Sequence, residues 1–445
     1  MDFSYAFLNQ LMRLCFALVC LPVALATFNA SEINIWFLMM AVIALGQSFS
    51  SGLSVTVARF LSYTKVGIGM RDFSDVTKAE DKLRSSEIRD QQQLIFWGAK
   101  VLYAVVTLIF VVTWILAYVF IFSEYGDPDS TPYDGIIVIV AVLSCCSLYF
   151  QQYQATLEGM GLVALVQKIG AAVYALGILL VLALGLFGFT LASLAAAHQV
   201  VVLLHFLVIA WANYRRFKFR RVDTKLVVSS GVLFLIFQKA RLSSYTAIVS
   251  SALKQVPFLV VSAYLSGSTL SNLLITKRLY EILETFASAL FTVKNPELSR
   301  LFASQNMFDY HHVLRLTCFL SFSFFIVGSV VIVLLSEVLI NSFSATEFSP
   351  GLTLLLLFGV GNFGARCNAA CLSVCNHSNN VKEHWAITMY VLLYVLTIVP
   401  LYGAFGLYSF ASVMILGGII NLPYTWWAAS KYTLRAGSVA SRVDF

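Results

Sequence analysis

Charge is scarce in this sequence, and its positive part avoids half of the loops. Asp, Glu, Lys and Arg make up 11% of the 445 residues and hydrophobic residues 59%, whereas soluble domains carry roughly 25% charged residues. A water-soluble fold of this length has no way to hide so much apolar surface. Also missing is any Gly-Lys-Ser/Thr phosphate loop, so an ATP engine of that kind is excluded. No polar stretch is long enough for a separate soluble domain. The longest, 64–93, mixes six basic with six acidic residues and is expected to contain a surface helix. The outer loops reach at most fifteen residues and carry no basic residue. A membrane glycan polymerase or glycosyltransferase would build its chemistry in a sizeable outer loop, so the chain is read as a non-enzyme.

Cysteine is present but not where a disulfide framework needs it. Cys15, Cys20, Cys145, Cys146, Cys318, Cys367, Cys371 and Cys375 all fall inside or at the edge of apolar stretches, and none lies in an outer loop. Cys367, Cys371 and Cys375 share a helix face at i, i+4, i+8. A soft-metal site is one reading of that face; cysteine as a small membrane-helix residue is the one preferred, because histidines nearby are few. No metal, cofactor or nucleic acid is expected.

What the sequence has in abundance is apolar runs of about 20 residues, enough to cross ~30 Å of hydrocarbon as helix. Backbone polar groups in lipid must be satisfied internally, and the runs do not alternate as barrel strands do. The spans are expected at 6–27, 33–58, 94–122, 135–155, 164–184, 190–212, 241–265, 271–293, 314–335, 351–374, 385–402 and 407–429. The first, with Arg13 inside it, is too long for a signal peptide. Twenty of the 29 Lys and Arg residues then fall on one side, in 59–93, 213–225, 294–315, 375–383 and 430–445, and none in the loops between. Loop 123–134 is acidic instead, with Glu124, Asp127, Asp129 and Asp134. This alternation places both termini in the cytoplasm.

The expected fold is therefore all-α integral membrane, about twelve transmembrane helices in two six-helix halves, 1–225 and 226–445. A short repeat supports the halves: Gly185-Leu186-Phe187-Gly188 precedes the sixth span, and Gly403-Ala404-Phe405-Gly406 the twelfth. An even number of spans per half keeps the halves parallel, a transporter architecture with a site between them. Leu226–Gln238, short and flanked by charge, is expected to lie in the interface as the joint. Pro257 and Asn421-Leu422-Pro423 are expected kinks.

Nine basic residues lie outside the cytoplasmic loops. Lys100, Lys168, Lys239 and Arg241 sit near cytoplasmic ends and are expected to snorkel. Arg13, Lys254, Arg278 and Arg366 lie deeper, where charge costs at least ~2.5–3.5 kcal/mol. They are the candidate lining of a cationic cavity for an anionic cargo, since the guanidinium fork suits phosphate; Arg59, at the edge of the second span, reads as an ordinary positive-inside residue. Arg278 with Glu281 also reads as a structural ion pair at i, i+3. A cavity for cationic drugs should instead show unpaired carboxylates, which here are limited to Glu158, Glu281, Glu284 and Glu337. His198 and His205, at i, i+7, are candidate coupling residues together with Glu281; the competing reading of the histidines is a packing hydrogen bond.

Three stretches resemble the multidrug/oligosaccharidyl-lipid/polysaccharide exporter (MOP) superfamily, and within it the Wzx-type O-antigen and polysaccharide flippases. They are Leu45–Phe60, a small-residue-rich run closing on Arg59; Tyr153–Gly161, a bulky-Gly exit from the fourth span; and Ile275–Arg300, ending Lys294-Asn295-Pro296-Glu297-Leu298-Ser299-Arg300. The resemblance extends over the chain in span number and orientation. It departs from the family at Lys254-Gln255-Val256-Pro257, where the seventh span often carries an Asp, and at Asn272-Leu273-Leu274, where a Tyr is common.

The resemblance implies a V-shaped bundle alternating between inward- and outward-open states. It implies a flippase for an undecaprenyl-diphosphate-linked oligosaccharide, an O-antigen or exopolysaccharide repeat unit, in a bacterial cytoplasmic (inner) membrane. Membrane lipid, a glycan polymerase and chain-length proteins are its expected partners. Arg13, Arg59, Lys254, Arg278 and Arg366 would meet the diphosphate. The rival readings are a small-molecule or drug exporter of the same superfamily and a non-transport scaffold for glycan assembly.

Overall fold

The computed structural model describes residues 2–65, 85–125, 133–186, 190–217, 231–262, 267–303, 306–343, 351–377 and 408–440, with a few isolated positions besides. Eleven long helices occupy them: α1 (Asp2–Thr27), α2 (Ala30–Lys65), α3 (Ser85–Phe120), α4 (Tyr133–Gly159), α5 (Val163–Leu186), α6 (Leu191–Phe217), α7 (Val232–Val261), α8 (Gly267–Ala303), α9 (Met307–Phe343), α10 (Leu352–His377) and α11 (Tyr408–Ala440). Each matches one expected span. The expected eleventh span, 385–402, lies outside the described residues but for isolated positions, as do half of the first Gly-x-x-Gly turn, most of the second and most of loop 64–93.

Eight of these helices are long and apolar enough to cross a membrane, or nine with α7, which bends. The side chains they expose say the same. Along α3, Val105, Leu108, Ile109, Val112, Ile115, Leu116, Val119 and Phe120 are all exposed, as are Phe319, Leu320, Phe324, Val327 and Leu334 on α9. In water such patches would drive aggregation; in a bilayer they are the lipid-facing surface. The chain is a multi-pass, all-α membrane protein.

Helix ends follow local chemistry. Asn29 and Glu32 form a reciprocal capping box ahead of α2, with Glu32 N–H donating to Asn29 Oδ1 at 2.9 Å and Asn29 N–H to Glu32 Oε2 at 3.1 Å. Thr190 and Ser193 repeat it at α6. The Tyr153–Gly161 stretch closes in a Schellman motif. Gly161 takes φ 79°, and the Gly161 and Leu162 amides donate to the Glu158 and Leu157 carbonyls at 2.9 Å. Lys65 donates to the Met160 carbonyl at 3.0 Å, placing a cation at the carbonyl end of α4.

The contacts divide the described chain into two compact units. The first holds Met1–Cys20 and Ile35–Leu259, the second Leu21–Asn34 and Val260–Phe445. These units are a division by packing, not by the repeat expected to give 1–225 and 226–445: α7 packs within the first. Val232, Ile236 and Ala240 join Leu53, Val57, Phe60 and Leu61 of α2 and Ile95, Ala99 and Tyr103 of α3 in one core. The stretch expected to lie flat in the interface is thus, from Val232 on, the packed first arm of α7; Leu226–Ser230 lies outside the described residues.

Nor is Pro257 the break in α7. The helix bends by 46° between Arg241 and Ser244. Its backbone there presses on Gly52 of α2, where an added Cβ would collide with the Ser244 backbone. Pro423 lies inside α11, which continues on both sides of it. The small residues of Leu45–Phe60 thereby gain a physical role: Gly46 admits the Phe110 ring and Gly52 admits α7. A second core in this unit joins Leu157, Val166, Ile209 and Ala212 from α4, α5 and α6.

In the second unit α8, α9 and α10 pack on one another, and α11 packs on α10. Gly364 and Gly418 bring the last two into close approach. Ser271 of α8 donates to Asn34 Oδ1 at 2.9 Å, tying the start of α2 to the start of α8.

Candidate functional site

In the first unit, the structure gathers Arg13, His198 and His205 around an aromatic group. Phe16 stacks on His198 with centroids 5.3 Å apart, and Tyr174 lies 6.0 Å from Phe16 and 5.6 Å from His205. The interlock follows from close helix approach, since Gly177 of α5 leaves room for both Phe16 and Val201. Arg13 is exposed but lies within electrostatic reach of His205, which is buried. Next to this group Asn9 donates to Gln167 at 2.6 Å. Arg59 on α2 and Lys254 on α7 are exposed.

This unit also has a polar interior that the sequence reading missed. Gln152 is fully buried with neither amide atom hydrogen-bonded, and Gln199 Oε1, His205 Nδ1 and Asn213 Nδ2 are likewise buried without a partner. Such groups are costly in an apolar interior. Because both ends of the Gln152 amide are orphaned, Gln152→Leu is expected to raise the thermal midpoint in detergent, worth about 1–2 kcal/mol. A lowered midpoint would show that the amide is satisfied by something the protein itself does not supply.

In the second unit, Glu281 bridges two cations, Lys277 Nζ at 3.0 Å and Arg278 Nη1 at 3.3 Å. The i, i+3 pair foreseen for Arg278 is therefore present, and Lys277 joins it from the turn before. Arg366 is 4% exposed. Its Nε donates to Ser321 Oγ at 3.0 Å, and its guanidinium lies 4.8 Å from the Phe291 ring centre. Ser321 in turn donates to the Ala287 carbonyl at 2.7 Å, and Glu284 is within electrostatic reach of the guanidinium. Arg366 thus ties α10 to α8 and α9. Among the described residues, no group of three or more His, Cys, Asp or Glu is placed to hold a metal ion; the Cys375 side chain lies outside them.

Of the four cations expected to snorkel, Lys100 is held differently. Its Nζ sits 4.2 Å from the Trp97 ring centre, 4.9 Å from Phe96 and 5.6 Å from Tyr153. Lys168 lies 5.8 Å from one ring, Tyr5, and Lys239 and Arg241 are exposed. The placing of Phe96 and Trp97 four and three residues before Lys100 was legible in the sequence; the third ring comes from α4 and was not.

With two units of packed helices established, solved structures give the comparison. An inward-facing multidrug resistance MATE family transporter of the MOP superfamily superposes with a TM-score of 0.65 at 13% identity, over 94% of this chain and 95% of that one. The chain has the fold of the MOP superfamily. The lipid II flippase MurJ in an inward closed conformation matches with a TM-score of 0.64 at 18% identity, over 100% of this chain and 93% of that one. The Vibrio cholerae MATE transporter VcmN in its bent form matches with a TM-score of 0.61 at 11% identity, over 98% and 96%. At these identities the likeness is one of fold. No protein-family model and no curated protein matches the sequence. The MOP fold accounts for the twelve-span expectation and for eleven of its helices as described.

Proposed function

We propose that this MOP-fold protein is a transporter that flips an undecaprenyl-diphosphate-linked oligosaccharide by alternating access. The cargo is an O-antigen or exopolysaccharide repeat unit, moved from the cytoplasmic to the outer face of a bacterial inner membrane, with both termini of the chain cytoplasmic. The observation that carries the reading is the sign of the accessible charge within the spans and at their cytoplasmic edge. Arg13, Arg59 and Lys254 present cations at exposed positions on three helices of the first unit. Two of the four carboxylates are engaged: Glu281 by Lys277 and Arg278, and Glu158 by Gln154 Nε2 at 2.8 Å. Cations that accept a diphosphate suit a lipid-linked cargo, and the lipid II flippase MurJ has the same fold.

In this reading Arg13, Arg59 and Lys254 of the first unit are the candidates to meet the diphosphate, while Arg278, the further candidate, is held by Glu281 within the second unit. Arg366 keeps the second unit packed. His198, His205 and Glu281 are the coupling candidates, and a glycan polymerase and chain-length proteins take over the exported unit. The second reading is a drug exporter, favoured by the MATE transporters among the structural neighbours. A glycan-assembly scaffold would depend on loop 64–93 alone.

The test is the sidedness of lipid-linked glycan in cells depleted of the protein, with the sugar labelled from outside in intact cells and again after permeabilisation. The expected result is repeat units trapped on the cytoplasmic face. Units reaching the outer face at the normal rate would remove the flippase reading, and a change in drug tolerance would then put the exporter in its place.

A further inference from the structure

We propose that Lys100 and the aromatic rings around it form a binding site for a lipid-borne phosphate at the cytoplasmic end of the first unit. The inference deepens the flippase reading, on which it rests for the identity of the cargo and for the orientation of the chain. Two helices fix its depth independently. The α3 helix turns from polar to apolar at Leu94, six residues before Lys100, and Tyr153 stands six residues before the end of α4 at Gly159. Both intervals are about 9 Å along a helix axis.

A snorkelling lysine simply reaches back along its own helix toward water. The Lys100 side chain does run back one turn, but it ends in a box built from two helices. Phe96 and Trp97 of α3 form one side, at 4.9 and 4.2 Å from Nζ, and Tyr153 of α4 the other, at 5.6 Å. The box is itself packed. Tyr153 contacts Phe96 at 5.9 Å and stacks on Phe150 at 6.0 Å, while Trp97 also leans on the core shared with α7.

Ring faces attract a cation but leave the three ammonium N–H groups without an oxygen acceptor. Five other cations in or at the edge of the spans are each held by an oxygen. Lys277 and Arg278 have Glu281, Lys294 has Glu297, Arg366 has Ser321 and Lys65 has a carbonyl. No carboxylate among the described residues pairs with Lys100, and the residue is half-buried, so its ammonium is oriented yet open. An anionic oxygen completes that geometry. The flanking rings favour an anion carried on a hydrocarbon chain over a free solute, because they offer apolar faces beside the charge. A phosphate on a prenyl or acyl chain has both parts, and its headgroup travels at this depth when a chain enters from the cytoplasmic leaflet.

The first test uses the unmodified protein in nanodiscs. Lys100 is labelled with an amine-reactive reagent and read by peptide mass spectrometry, with Lys168 as the internal control. Undecaprenyl diphosphate is expected to protect Lys100 and not Lys168, with inorganic diphosphate protecting less. Protection by phosphatidylglycerol to the same degree would support the phosphate site and assign it to bulk lipid rather than cargo. No protection by any of the three overturns the proposal. In native mass spectrometry, Lys100→Gln is expected to lower affinity for undecaprenyl diphosphate about tenfold, with Lys100→Arg retaining more than Lys100→Gln. Equal affinity for wild type and Lys100→Gln, with both folded by circular dichroism, also overturns it. Because these are binding measurements, a negative sidedness assay with Lys100 protection intact would sink the transport reading and leave the site standing.

Discussion

Gly52→Leu is expected to be the most damaging single substitution in the first unit, lowering stability by on the order of 3 kcal/mol or more. An added Cβ at Gly52 would meet the backbone nitrogen and Cα of Ser244, not the far end of a flexible side chain. Backbone cannot turn aside, so α7 would have to move away from α2. That movement would open the core in which Val232, Ile236 and Ala240 pack on Leu53, Val57 and Phe60. The measurement is the thermal midpoint and the yield of monodisperse protein in detergent. Gly135→Leu is the control, since a Cβ at Gly135 meets nothing within 4 Å. A Gly52→Leu protein as stable as the control would mean that α2 and α7 do not cross where the structure places them.

Arg366→Ala should have the largest effect in the second unit, about 3 kcal/mol. The alanine gives up the bond to Ser321 and the contact with Phe291 and leaves a cavity where a long side chain was buried. Arg366→Met keeps most of the volume and removes a charge that is expensive to bury, so it is expected to lose about 1 kcal/mol or less. The pair separates two roles. If Arg366 only packs, Arg366→Met restores both the thermal midpoint and export, and the loss in Arg366→Ala follows protein level. A methionine variant that is stable yet blocked in export would show that the guanidinium acts in the transport cycle itself.

Arg366 also shows how far the sequence could be read. Its position inside a span marked it as a charge in need of a partner, and that much is local. Which partner it takes is not. Ser321 lies on α9 and Phe291 on α8, and nothing in the spacing of α10 points to either. Glu281 is the opposite case: its two cations stand three and four residues away on the same helix, so helical periodicity alone brings them together. Lys100 falls between, with two of its rings one turn away and the third on another helix.

By itself, then, the sequence determined what hydrocarbon thickness and helix period control: the placing of the eleven described helices and the pairs one turn apart. Tertiary structure alone decided what depends on which helix meets which. The bend of α7 lies at 241–244, against Gly52, rather than at Pro257. Residues 232–259 pack with the first unit although the chain-level repeat would divide at 225. The physical reason is common to both. A proline or a repeat acts on the backbone near it, whereas close helix approach is settled by shape at a crossing, where a glycine on one chain segment makes room for another about 190 residues away.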